Sequence, residues 1–93
     1  MLKIEISRSG FSGLDYTELT QFNIPQPPNG FRPEVNNNVV MLFEDEQEAI
    51  DYAHLVDSYA ESLNDQETPE YLATTDIIKA IGEDEFVQSY ILS

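Results

Sequence analysis

Cysteine is absent from the 93 residues. That excludes disulfides, thiolate nucleophiles, iron–sulfur clusters and structural cysteine–zinc sites. A small domain without them is held by its core alone, which suits a reducing compartment. Bases are scarce too: four Lys and Arg stand against 18 Asp and Glu, for a formal net charge of −14. Four bases cannot neutralise a row of phosphates, so direct contact with nucleic acid or anionic lipid is not expected. Long apolar runs are missing. The longest, Val39 to Phe43, is far too short to span a bilayer, so no membrane partner is expected. The opening Met1-Leu2-Lys3-Ile4-Glu5-Ile6 has no apolar h-region and does not read as a secretory signal. The expected location is cytoplasmic. No P-loop, Gly-x-Ser-x-Gly or EF-hand register occurs.

What the chain has is core material and acid. At 41% hydrophobic and 11% aromatic, it is too rich in core residues for wholesale disorder. Its length suits one domain, residues 1–93. The acid is unevenly placed. Residues 1–43 carry four acids and three bases, whereas residues 44–93 carry fourteen acids and one base, Lys79. Any charge-based function therefore belongs to the second half.

Leu2, Ile4 and Ile6 alternate with Lys3, Glu5 and Ser7, the period of a strand with one buried face. Gly10 and Gly13 loosen the chain after it. Residues 14–24 fit either strand or helix. Four of the five prolines fall between Pro25 and Pro33, which predicts a loop over about 24–38. Phe31 is expected to tuck in, and Asn36-Asn37-Asn38 to turn. Val39 to Phe43 reads as a central strand buried on both faces. Asp45 with Glu48 forms a capping box, and Ala49, Tyr52, Ala53, Val56, Ala60 and Leu63 follow at helical spacing. Beyond Thr68-Pro69, Tyr71 to Thr74 is expected to be a third strand. A short helix capped by Thr75 or Asp76 should follow, ending at Gly82 in a left-handed turn. Residues 87–92 fit a last strand, with a helical turn as the alternative. The expected fold is α+β: about four strands with one long and one short helix on one face, ferredoxin-like in outline. A right-handed crossover around the long helix would make the second and third strands parallel.

The segment from Asn38 through Val39-Val40-Met41-Leu42-Phe43-Glu44-Asp45 to Tyr52-Ala53 resembles the central block of a small cyanobacterial and plastid domain family of unknown function. The likeness covers residues 38–55. It implies an apolar strand feeding an acid-capped helix, and no activity.

His54 is the only histidine. Asp51 and Asp57 lie one helical turn away on either side, which supplies too few ligands for a transition metal. The acid clusters Glu44-Asp45-Glu46, Asp65-x-Glu67 and Glu83-Asp84-Glu85 lack the register of a calcium loop. No metal or cofactor is expected, and nothing organises a catalytic constellation. The long helix offers more. Glu44, Glu48 and Asp51 are read on one edge, extended by Glu61 and Asp65, with Leu55 and Ile50 interrupting the polar side. Acids that only solvate a surface account for much of this charge. Apolar residues exposed among acids mark a protein-binding patch instead. The expectation is a non-enzymatic acidic module, an adaptor or regulator, docking a basic partner through Glu44, Glu48, Asp51, Leu55, Glu61 and Asp65. One alternative is an inhibitor of phage or plasmid type that mimics nucleic acid. Another is a small carboxylate enzyme using His54.

Overall fold

The computed structural model describes residues 1–6, 16–34 and 38–92. In chain order these form β1 (Leu2–Ile6), α1 (Tyr16–Thr20), β2 (Phe31–Pro33), β3 (Val39–Phe43), α2 (Glu46–Glu61), α3 (Pro69–Glu83) and α4 (Glu85–Leu92). The fold is α+β, with a three-stranded sheet of order β1-β3-β2.

The apolar run of β3 takes the centre because a strand hydrogen-bonded on both sides, with four of its five residues buried, suits continuous Val, Met and Phe. Both neighbours are antiparallel to it. Ile4 lies opposite Met41 and Ile6 opposite Val39 on one side, and Phe31 lies opposite Met41 on the other. Directly opposed residues share a face. Ile4, Ile6, Phe31, Val39, Met41 and Phe43 therefore meet the helices in one buried cluster with Ala49, Tyr52, Val56, Ala73, Ile77, Ile81 and Val87, and Leu2 packs half-buried against it. Lys3, Glu5, Arg32, Val40 and Leu42 share the other face. That face carries solvent-exposed polar pairs: Lys3 to Glu34 at 2.8 Å and Asn38 Nδ2 to Glu5 at 2.5 Å. Val40 is buried but stands apart from the main cluster, in a row between Arg32 and Glu5 whose stems flank it.

The helix entry at Asp45 forms as its residue types require. Asp45 caps α2, accepting from the Glu48 amide at 2.9 Å. Glu48 Oε1 reaches back to the Glu44 amide at 3.0 Å, which satisfies a second donor at the helix start. Phe43 and Tyr52 then pack ring to ring with centroids 5.7 Å apart.

Several expectations are corrected. Tyr71 to Thr74 is the first part of α3, not a strand: Thr68 caps the helix and Pro69 begins it, because a proline at the first helical position loses no hydrogen bond. Thr75 and Asp76 lie inside α3, and Asp76 is buried there. Gly82 also lies in α3 and does not turn left-handed; among the described glycines only Gly30 has a positive φ, 72°. Residues 87–92 are helical. Asp84 Oδ1 accepts from the Phe86 and Val87 amides at 2.9 and 3.0 Å, which restarts the chain as α4. The described residues thus hold three strands rather than four. With no strand after α2, there is no parallel crossover. The proline-rich stretch also contains β2, with Pro33 at the sheet edge, where a missing amide proton is tolerated. Residues 16–20 are helical. Gly10, Gly13, Asn36, Asn37 and residues 14–15 lie outside the described residues.

Candidate functional site

Two segments far apart in sequence meet along α2. The loop from Ile24 to Gly30 is anchored by Ile24 and Phe31, both buried. It turns at Pro27-Pro28-Asn29-Gly30, where the Gly30 amide donates to the Pro27 carbonyl at 2.8 Å. Gly30 takes the φ of 72° that side chains rarely adopt. Asn29 ties the turn to β3, donating to the Leu42 carbonyl at 2.9 Å. Tyr52 ties it to α2, donating its hydroxyl to the Pro25 carbonyl at 2.6 Å. Burial holds the Tyr52 phenol above its ordinary range, because an ionised phenolate would lose its hydration there.

Between that loop and α2 runs an open groove of about 260 Å³, lined by Gln26, Pro28, Glu48, Asp51, Tyr52 and Leu55. Its walls are largely apolar, and two carboxylates stand on one side. Leu55 is 53% exposed, a large apolar side chain left to solvent at the groove. Asp51 Oδ1 accepts from Gln47 Nε2 at 2.9 Å. Glu48 is held by its capping bond to Glu44. Each carboxylate thus carries one hydrogen bond and keeps its other oxygen for a ligand.

Three of the six expected docking residues, Glu48, Asp51 and Leu55, come together in this groove. The other three do not join them. Glu44 lines a separate hollow with Met1, Leu2, Asp45, Glu46 and Phe86. At 100° per residue, Glu61 lies about 140° around α2 from Glu48, on its opposite flank. Asp65 is outside α2 altogether. It turns the chain toward α3, accepting from the Glu67 amide at 2.9 Å. Ile50 is half-buried against the core and does not interrupt the polar side.

Sequence reasoning missed the groove's other wall. Gln26 and Pro28 read as loop and Tyr52 as core. The hydroxyl of Tyr52 was the available signal, since a buried phenol seeks a partner. His54 is exposed and lines neither hollow. Among the described residues no group of three His, Asp or Glu is placed to hold a metal ion. No helix among them is long and apolar enough to cross a membrane. Comparison of the chain with family models, with curated proteins and with solved structures finds no match.

Proposed function

We propose that the protein is a non-catalytic acidic docking module, an adaptor or regulator, whose groove between the proline-rich loop and α2 receives a basic side chain of a partner protein. The observation that carries this reading is the meeting of Glu48 and Asp51 with Tyr52, Leu55 and Pro28 in one groove. A lysine or arginine suits it chemically. Its aliphatic stem covers the apolar wall while its cationic head meets the carboxylates. The fourteen acids of residues 44–93 would steer such a partner from a distance and speed its association. A carboxylate enzyme would need His54 gathered with acids in a pocket, and His54 does not line the groove.

The test is affinity capture on the immobilised protein beside its Asp51→Lys and Leu55→Ser variants. The protein should retain basic proteins at low salt and release them as the Debye length falls below about 10 Å. Asp51→Lys should slow association of the captured partner about tenfold. Equal capture by all three forms sinks the reading. Displacement of the captured partner by duplex DNA at one shared site would identify the nucleic-acid mimic instead.

A further inference from the structure

Helix α4 is amphipathic, but it buries only one side chain fully, Val87. Phe86 is 62% exposed, Tyr90 43% and Ile91 61%. Phe86 and Tyr90 are one turn apart and so adjacent on the surface. Met1 and Leu2 join Phe86 around a hollow of about 260 Å³, with Glu44, Asp45 and Glu46 as its remaining wall. A chain of two hydrogen bonds links Tyr90 to the groove already described. The Tyr90 hydroxyl donates to Gln47 Oε1 at 2.8 Å, and the Gln47 amide donates in turn to Asp51.

Exposed apolar surface of this kind marks an interaction site, and its charged rim selects the occupant. A second copy of the chain would bring its own net charge of −14 against these acids. An anionic lipid surface is repelled in the same way. The described Lys and Arg side chains lie elsewhere: Lys3 pairs with Glu34, Lys79 pairs with Glu83, and Arg32 is on the outer face of the sheet. An amphipathic cationic segment satisfies both halves of the surface. We infer that α4, with the hollow at Met1 and Phe86, docks such a segment of a partner protein. Its apolar side lies on Phe86 and Tyr90, and its Lys or Arg residues face Glu44, Asp45 and Glu46. The inference rests on the docking function proposed above and gives that partner an apolar anchor. Helix-in-surface recognition of this kind places anchors at spacings of three and four.

The probe is a labelled peptide of Leu and Lys patterned as an amphipathic helix, titrated by fluorescence anisotropy beside a scrambled peptide of the same composition. The protein should prefer the patterned peptide about tenfold or more. Phe86→Ser with Tyr90→Ser should abolish that preference while leaving salt-dependent affinity for the scrambled peptide. Neither side chain is buried, so an unchanged melting temperature would verify that the fold survives. If the preference persists in that double variant, the inference is overturned. If it is lost only in Asp51→Lys with Leu55→Ser, the anchor lies in the groove, and the docking function stands without α4. If neither peptide binds at low salt, the docking function itself falls. A concentration-dependent dimer that Phe86→Ser dissociates would assign the surface to a second copy and overturn the inference.

Discussion

Tyr52 joins the local and the distant parts of the groove. Its ring packs on Phe43 and its hydroxyl donates to the Pro25 carbonyl, 27 residues away. Tyr52→Phe keeps the ring and removes the bond, which costs about 1 kcal/mol and leaves the carbonyl without that donor. For a chain of this size that is roughly 4–8 °C in melting temperature. The pH dependence has a definite sign. Burial raises the phenol's pKa in the folded state. Its contribution is therefore fully present below the unfolded value, near 10, and is lost as pH rises beyond it. Tyr59 acts in the same sense. Its hydrogen bond to Glu70 and, after it, burial push its pKa up to about 12. Tyr52→Phe cannot ionise at position 52, so the stability gap to the parent should narrow from neutral pH to about pH 10.5. Thermal melts of both proteins at the two pH values decide this. A gap that stays constant would place the Tyr52 hydroxyl in water.

At the scale of elements, what was legible in the sequence is what local chemistry decides. The run Val39 to Phe43 and the box Asp45 to Glu48 carry their signals within ten residues, and the structure places both as their patterns require. The failures have equally local causes. Tyr71 and Thr74 are residue types that favour strands, and they outweighed the start signal in Thr68-Pro69 and the four-residue spacing of Ala73, Ile77 and Ile81. In the helix the two threonines are accommodated by turning back to the Tyr71 carbonyl, at 2.5 Å from Thr74 and 3.3 Å from Thr75. The groove was only half legible, because its loop wall depends on contacts across long sequence separations that no spacing rule encodes. Gly82 separates the two readings of this region experimentally. As a left-handed terminator it would resist substitution. As a helical residue with nothing within 4 Å of an added Cβ, it should accept alanine and gain about 0.5–1 kcal/mol. Gly82→Ala should therefore melt a few degrees higher. A lower melting temperature would mean that α3 ends before position 82.

For the whole molecule, the governing quantity is the charge carried in a small volume. The folded chain has a radius of gyration of 12.4 Å and extents of 36 × 31 × 21 Å, whereas an unfolded chain of this length spreads to a radius of roughly 30 Å. Folding thus crowds a net charge of −14 that the unfolded chain holds apart, and self-repulsion opposes the compact state. The ion pairs at Lys3 and Lys79 are exposed and offset little of it. Screening relieves this in a definite order. At about 0.1 M salt the Debye length is roughly 10 Å, less than half the shortest extent of the molecule. Repulsion across the whole protein is removed first, and repulsion between neighbouring acids on one helix persists to higher salt. Melting temperature at neutral pH should therefore rise with sodium chloride, most steeply below about 0.2 M, by an amount corresponding to roughly 1 kcal/mol. Magnesium chloride at equal ionic strength should act almost identically if the acids are only screened. A sharp rise at far lower magnesium than sodium would show that the acids jointly hold a cation. A melting temperature indifferent to both salts would refute self-repulsion as a term in this protein's stability.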